Sequence, residues 1–203
     1  MSKVIVLVDG FNFYHALDDV PAYHKYKWLD FDKLARILVP KTDKIVGVYY
    51  FTALQTWKPE KVVRHKLLIQ ANELKGVRIV YGEFKQRDRL CSVCGKQYKG
   101  REEKQTDVNI AIHLFRFAIQ DLHDITVIVS GDSDQIPAIQ AVKTLYPSKQ
   151  VRVAIPIGRK AEQLIDVCDS YTRIREKQLK TCQLEDKIDI GGGKKLFRPP
   201  TWK

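Results

Sequence analysis

The feature that most constrains this chain is an apolar run that stops at two carboxylates. Residues 126–129, Thr-Val-Ile-Val, run without polar alternation and are followed by Ser-Gly-Asp-Ser-Asp at 130–134. An unbroken β-branched run predicts a strand of a parallel sheet, covered on both faces, and Ser-Gly allows a sharp turn. Apolar residues then recur at helical spacing from Ile136 to Leu145. The stretch therefore predicts a strand, an acidic turn and a helix.

The two acids of this turn are Asp132 and Asp134, and they have a structural and a functional interpretation. Either Ser133 or Asp134 can cap the helix, because a side-chain oxygen accepts one of its free N–H groups. Capping explains one carboxylate but not two. Ligands of open α/β sheets bind at the carboxyl ends of the strands, so the pair favours a functional site.

A second apolar strand, residues 3–8, also ends at an acid, in Asp9-Gly10-Phe11-Asn12. A structural interpretation is open here too, since Asp-Gly favours a turn and Asn12 can cap a helix that starts near Phe13. Two buried strands that both end in acids nevertheless strengthen the functional interpretation.

A third acid, Asp107, lies on a segment that is predicted to be helical from Glu102 onward. Its expected core face consists of Ala111, Leu114, Phe115, Ala118 and Ile119. Asp107 precedes Ala111 by one turn, which puts a carboxylate at the first inward position. It can instead stabilise the positive end of the helix, but Glu102 and Glu103 already supply that charge. We expect a functional role for Asp107.

The order of elements predicts an α/β fold, a three-layer sandwich around a central parallel five-stranded sheet of order 3-2-1-4-5. Its expected strands are residues 3–8, 45–52, 77–84, 126–129 and 151–155. We expect one domain at 1–172 and a charged tail at 173–203, with Gly191-Gly192-Gly193 as a mobile junction. Phe197 and Trp202 can dock the tail on the body, or the tail can be disordered.

In such a sheet Asp9, Asp107, Asp132 and Asp134 meet at the carboxyl edge. Carboxylates that are crowded together repel one another, so the group implies a bound cation. Oxygen ligands with no histidine among them favour Mg²⁺ or Mn²⁺.

Charge indicates the partner of this site. The chain has 35 Lys and Arg against 24 Asp and Glu, a formal net charge of +11, which favours a polyanion such as nucleic acid. A merely basic surface is the alternative. Candidate contacts to phosphates lie at the start and on the polar side of a helix that is predicted to begin at Pro59, and in a basic insertion at 85–101. They are Lys58, Lys61, Arg64, Lys85, Arg87 and Arg89.

The insertion also contains Cys91-Ser92-Val93-Cys94-Gly95, which has the spacing of half a zinc site. Two further ligands are needed, and Cys168 and Cys182 lie far along the chain. A hairpin with two unpaired thiols is the main alternative, and a thioredoxin-like redox motif is less favoured. Four cysteines do not suggest a disulfide framework, and the apolar runs are too short to cross a membrane, so we expect a cytoplasmic protein.

The Asp9-Gly10-Phe11-Asn12 segment, the segment 102–109 and Ser130-Gly131-Asp132-Ser133-Asp134 together resemble the acidic motifs of LabA-like NYN domains, part of the PIN-like nuclease group. The resemblance covers roughly residues 4–154. It implies a metal-dependent ribonuclease with Asp9, Asp107, Asp132 and Asp134 as its centre and Asn12 and Ser130 as supporting groups.

Two other functions are alternatives to this one. A non-catalytic RNA-binding or regulatory protein would keep the acids for a structural cation. A dehalogenase-type phosphatase is disfavoured, because its motif requires a second Asp where this chain has Phe11.

Overall fold

The computed structural model describes residues 1–203. Its strands are β1 (Lys3–Asp9), β2 (Lys44–Thr52), β3 (Arg78–Tyr81), β4 (Glu83–Leu90), β5 (Gln97–Lys104), β6 (Ile125–Val129), β7 (Gln150–Ile155), β8 (Ser170–Arg173), β9 (Lys187–Asp189) and β10 (Lys195–Phe197). Its α-helices are α1 (Gly10–Asp18), α2 (Phe31–Leu38), α3 (Pro59–Glu73), α4 (Thr106–Ile119), α5 (Ile136–Leu145), α6 (Glu162–Val167) and α7 (Glu176–Thr181). None of the helices combines the length and the apolar composition that a membrane crossing requires.

The central sheet has six strands in the order β3-β2-β1-β6-β7-β8, and every neighbouring pair is parallel. The expected α/β sandwich and the order of its first five strands are confirmed. The number of strands was wrong by one. The sixth, β8, has the sequence Ser-Tyr-Thr-Arg and is exposed along its length, so it carries no apolar pattern to predict it.

The two central strands hold the layers together. Val4, Val6 and Val8 of β1 pack on one face of the sheet with residues of α1 and α2, while Ile5 and Leu7 pack on the other with residues of α4 and α5. Successive side chains of a strand point to opposite faces, so an unbroken apolar strand serves two cores at once.

The register of these strands fixes the position of the acids. Val8 of β1 pairs with Val129 of β6, so Asp9 and Ser130 follow at neighbouring points of the same edge. The chain of β1 continues directly into α1 at Gly10, and β6 leads into the turn that contains Asp132. This edge is the carboxyl end of the parallel sheet, where open α/β folds bind ligands.

Several element boundaries differ from expectation around a hairpin. The third strand ends at Tyr81 rather than at residue 84, and β4 and β5 then pair antiparallel from Glu83 with Lys104 to Leu90 with Gln97. Glu102 and Glu103 thus belong to a strand and not to a helix. The left-handed backbone of Gln105, with φ 76°, separates β5 from α4.

The core face of α4 also differs in part from the predicted one. Leu114 and Ala118 are buried as expected, but Ile119 is exposed, and Ile110 and Phe117 complete the buried face. The buried face of α4 is therefore rotated slightly around the helix axis relative to the predicted one. Asp107 still lies one turn before Ile110 and Ala111, on the side of the sheet.

The chain after residue 173 packs against the body. Ile174, Leu179 and Cys182 are buried in the same core as β1, and Trp202 lies with its ring centroid 6.4 Å from that of Trp28. Phe197, in contrast, is exposed.

The glycine run was predicted to be a mobile junction, but it forms the turn of a hairpin between β9 and β10. Gly191, Gly192 and Gly193 have φ of 85°, 58° and 74°, values that residues with a Cβ rarely adopt. The run therefore closes a turn that most other residues would strain.

Replacement of Trp202 tests how strongly this segment is attached. We expect Trp202→Ala to lower the free energy of unfolding by about 3 kcal/mol, because it removes a buried ring that packs against Trp28. Phe197→Ala removes an exposed ring of the same segment and should change it by no more than about 0.5 kcal/mol. Urea denaturation followed by circular dichroism measures both. Equal effects of the two changes would contradict the docking described here.

Candidate metal centre

Three carboxylates converge at the carboxyl edge of the sheet. One oxygen each of Asp9, Asp107 and Asp132 lies within 4.8 Å of the others, and no other group of three or more His, Cys, Asp or Glu side chains is arranged in this way. Asp9 ends β1, Asp107 lies in the first turn of α4, and Asp132 follows β6. Asp9 is buried and the other two are half-buried. We call these three residues the acidic cluster.

Asp9 is held by the two loops around it. Its Oδ2 accepts a hydrogen bond from the Ser130 hydroxyl at 2.8 Å, and its Oδ1 accepts one from the Asn12 N–H at 3.0 Å. The second bond caps α1. The Asn12 side-chain oxygen in turn accepts from the Gly131 N–H at 2.9 Å, and Ser130 Oγ accepts from the Asp132 N–H at 3.1 Å. Asn12 and Ser130 thus tie the end of β1 to the turn after β6.

Asp107 has a separate anchor. Its Oδ1 accepts a hydrogen bond from Nε2 of the buried Gln135 at 3.0 Å. The first turn of α4 is fixed by Glu103, whose Oε1 accepts from the Thr106 N–H at 3.1 Å and from the Thr106 hydroxyl. Glu103 therefore caps α4 from the end of β5.

Asp132 and Asp134 play different parts in the turn. Oδ1 of Asp132 accepts from the Asp134 N–H at 3.0 Å and caps the 3-10 helix Ser133–Gln135. Asp134 is exposed and lies outside the acidic cluster. The structure thus brings together three of the four predicted acids.

The electrostatics of the acidic cluster show a shortage of positive charge. Burial raises the pKa of Asp9 to about 7, and the charges of Asp107 and Asp132 add to this against the two hydrogen bonds. Burial raises the pKa of Asp107 to about 6, helped by Asp132, Glu103 and Asp134. A cation among these oxygens would relieve both effects. The donor set, oxygen only, fits Mg²⁺ or Mn²⁺.

The acidic cluster opens into a cavity of about 280 Å³ that we call the acidic cavity. It is lined by Asp9, Phe11, Asn12, His15, Glu103, Asp107, Asp132 and Arg159. His15, Glu103 and Arg159 were not predicted as site residues from the sequence. Arg159 follows β7 in the loop Pro156-Ile157-Gly158, so its place at the carboxyl edge was an available signal. Glu103 was mistaken for a helical charge.

A larger groove of about 690 Å³, which we call the aromatic groove, adjoins the acidic cavity. Its lining residues are Phe11, His15, Gln55, Trp57, Lys58, Phe84, Gln86, Lys99, Arg101, Glu102 and Glu103. Phe11, His15 and Glu103 line both spaces. The two spaces therefore share a wall.

The predicted basic residues are distributed around this groove. Lys58 lines it, and Lys61 and Arg64 line a smaller pocket beyond Phe11 and Gln55. Three others lie on the hairpin in exposed ion pairs: Lys85 with Glu83 at 3.0 Å, and Arg87 and Arg89 with Glu102 at 3.6 and 3.9 Å. Trp57, Phe84, Lys99 and Arg101 were not individually predicted as site residues, although Trp57 follows β2 at the carboxyl edge.

The two thiols of the Cys-x-x-Cys sequence lie at the tip of the hairpin. Cys91 and Cys94 are unpaired, and no third His, Cys, Asp or Glu joins them in a ligand group. Cys182 is buried in the core and Cys168 is half-buried elsewhere. The structure thus supplies no complete zinc site at this pair.

Two known proteins resemble this chain over most of its length. A crystal structure of a protein of unknown function, VPA0982 from Vibrio parahaemolyticus RIMD 2210633, matches with a TM-score of 0.61 and 22% identity over 86% of this chain and 94% of that one. This likeness shows the fold. The 6-hydroxy-3-succinoylpyridine 3-monooxygenase HspA of Pseudomonas putida (strain DSM 28022 / S16) is 27% identical over 97% of this chain and 74% of its own length.

A family comparison covers nearly the whole chain. The NYN domain matches residues 3–175, which contain the central sheet, the hairpin and every residue of the acidic cluster. NYN domains have a nuclease-like fold. With this match and the acidic cluster at the sheet edge, the chain belongs to the NYN domain family.

Proposed function

We propose that this protein hydrolyses RNA phosphodiester bonds at the acidic cluster with the help of Mg²⁺ or Mn²⁺. The observation that carries the proposal is the convergence of Asp9, Asp107 and Asp132 within 4.8 Å at the carboxyl edge of the sheet. Membership in a family with a nuclease-like fold supports it. The 27% identity to a protein named as a monooxygenase does not assign that chemistry to this chain.

The carboxylates of Asp9, Asp107 and Asp132 would hold the cation. A cation of this kind supplies an activated water and neutralises charge on a phosphoryl oxygen. Ser130 and Gln135 fix one oxygen each of Asp9 and Asp107, at 2.8 and 3.0 Å, so these carboxylates are oriented before any ligand enters. Orientation in advance lowers the cost of binding.

Arg159 supplies the charge that the phosphate requires. Arg159 lines the acidic cavity, and its Nη1 pairs with Asp19 at 3.1 Å. Its Nε is buried and has no acceptor. A buried donor without a partner is costly, and a phosphate oxygen in the cavity would accept from it. Arg159 therefore fits the role of a phosphate-binding residue beside the acids.

Basic residues beyond the cavity would hold the rest of the strand. Lys58, Lys99 and Arg101 line the aromatic groove, and none of them forms an ion pair within the protein. They offset the repulsion between the acidic cluster and the phosphates of RNA. The charge of the site thus changes from negative at the cluster to positive along the groove.

The proposal is tested by incubation of labelled single-stranded RNA with the purified protein. We expect cleavage with Mg²⁺ or Mn²⁺ and none with chelator. Asp132→Asn keeps the shape of the side chain but removes a ligand charge, so it should lower the cleavage rate at least about 100-fold. Asp166→Asn, at an exposed acid of α6, is the matched control and should cleave normally.

RNA binding separates the enzyme from the non-catalytic alternative. Asp132→Asn should bind RNA as tightly as the wild type or more tightly, because a negative charge is removed. Wild-type protein that binds RNA but never cleaves it with either metal would support a binding protein with a structural cation. Undiminished cleavage by Asp132→Asn would withdraw the assignment to this cluster.

The hairpin arginines are tested by the salt dependence of RNA binding in chelator. Arg87→Ala combined with Arg89→Ala should weaken binding and flatten the slope of log K against log salt by about 1.4, for two lost phosphate contacts. Lys41→Ala with Lys44→Ala removes the same charge near the start of β2, at the opposite edge of the sheet. An equal change in slope for the two double variants would show that RNA binding depends on the net charge of the protein and not on the hairpin arginines.

The raised pKa values have a consequence for the stability of the metal-free protein. Folded Asp9 keeps its proton up to about pH 7, whereas the unfolded group releases it near pH 4. The folded state therefore binds more protons across this window and loses stability as pH rises through it. In Asp9→Asn the asparagine can still cap α1, but it does not titrate, so the variant should not lose stability over this pH range.

We expect the unfolding free energy of Asp9→Asn, relative to the wild type, to rise from pH 4 to 7 in chelator and then level off. Mn²⁺ at pH 7.5 should stabilise the wild type and not the variant. Urea denaturation across pH measures both. A difference that is flat across pH would contradict the charge shortage at Asp9.

A further inference from the structure

We propose that the aromatic groove is a stacking site for an unpaired base of a single-stranded nucleic acid, with Trp57 as its main contact. The inference rests on the proposed function, because it names the form of the substrate that the same site accepts. Three rings and a guanidinium carry it.

The rings form a connected set. Phe84 contacts Phe11 edge to face with centroids 5.3 Å apart and Trp57 with centroids 4.7 Å apart. The guanidinium carbon of Arg101 lies 4.3 Å from the centroid of Trp57. Bases of single-stranded RNA stack on such aromatic rings and on arginine planes.

Packing in a hydrophobic core does not explain why these three rings lie together. Phe11, Trp57 and Phe84 come from α1, the loop after β2, and β4, and none of the three belongs to a hydrophobic core of the protein. All three are half-buried in the wall of an open groove. Aromatic side chains that are gathered in a concave surface outside the core mark a binding site.

The surrounding charge fits a polyanion. Lys58, Lys99 and Arg101 are exposed. Of the two acids in the wall, Glu102 pairs with Lys104 at 2.9 Å and with Arg87 at 3.6 Å, and Glu103 caps α4. The free charge of the groove is therefore positive.

A polar group in the wall fits a base. The Oε1 atom of Gln55 is buried and has no hydrogen-bond donor, and Gln55 lines both the aromatic groove and the pocket of Lys61 and Arg64. The edge of a nucleobase carries N–H groups that can donate to such an oxygen. The strand would then run from the acidic cavity past Phe11 toward that pocket.

This arrangement selects single strands. The faces of bases in a duplex are covered by their neighbours, so stacking on Trp57 requires an unpaired base. A duplex would meet only the basic residues. Trp57 should therefore contribute to binding of a single strand and not of a duplex.

Tryptophan fluorescence isolates the contact. Trp57 is the tryptophan that lines the aromatic groove, whereas Trp28 is 0% exposed and Trp202, at 6% exposed, lines the pocket of Lys61 and Arg64. Comparison of the wild type with a Trp57 variant therefore assigns the quenching to one ring. In chelator, which prevents metal-dependent cleavage, an unstructured eight-nucleotide RNA should quench the emission, and a duplex of equal length should not. Trp57→Phe should lose most of the quenching but keep most of the affinity.

Affinity, measured by anisotropy of a labelled strand, gives the size of the contribution. Trp57→Ala should weaken single-strand binding about 5- to 150-fold and leave duplex binding within about 2-fold. Tyr171→Ala is the control, because it removes an exposed ring from β8, the outer strand of the sheet farthest from β3. It should change neither single-strand nor duplex affinity.

Unchanged single-strand affinity of Trp57→Ala, or equal losses for single strand and duplex, would overturn the stacking site. Because binding is measured without metal, the outcomes separate from those of the proposed function. Quenching and a Trp57-dependent affinity without any cleavage would support the stacking site and refute only the nuclease. Cleavage that is indifferent to Trp57 would refute only the stacking site.

Discussion

The site depends on one buried carboxylate at the end of a central strand. Asp9 is 2% exposed, and its two oxygens accept from Ser130 and Asn12, so the end of β1 and the turn after β6 are held as one unit. The bonds orient the carboxylate but do not neutralise it, and its pKa stays high, at about 7. The cation proposed for this site would compensate the negative charge that the two hydrogen bonds leave in place.

The sequence predicted those parts of the fold that buried strands determine. Apolar runs without alternation indicated parallel strands, and right-handed crossovers leave few strand orders, so 3-2-1-4-5 could be written before the structure was known. The same logic put the acids at one edge, where the structure places Asp9, Asp107 and Asp132 together. Asp134 lies outside because the backbone turns after Asp132, a local detail that spacing alone does not contain.

Features that depend on polar segments escaped prediction. Strand β8 is exposed throughout, and the hairpin strand β4 is held by its partner rather than by a core, so neither shows hydrophobic periodicity. Its partner β5 is also largely polar, and Glu103 at its end was therefore predicted to be helical. Trp57 and Phe84 come from segments that are separate in the sequence, and only the folded hairpin brings their rings to 4.7 Å. Sites built across segments in this way need the tertiary structure to be found.

The most direct test of the account is the location of the cation. Crystals of the protein grown with Mn²⁺ can be measured near the manganese absorption edge, where the anomalous signal marks the ion. We expect a peak in contact with carboxylate oxygens of Asp9, Asp107 and Asp132, and none at that place in crystals of Asp132→Asn. Manganese bound only elsewhere, with the acidic cluster filled by water or by hydrogen bonds between protonated carboxyls, would contradict the account.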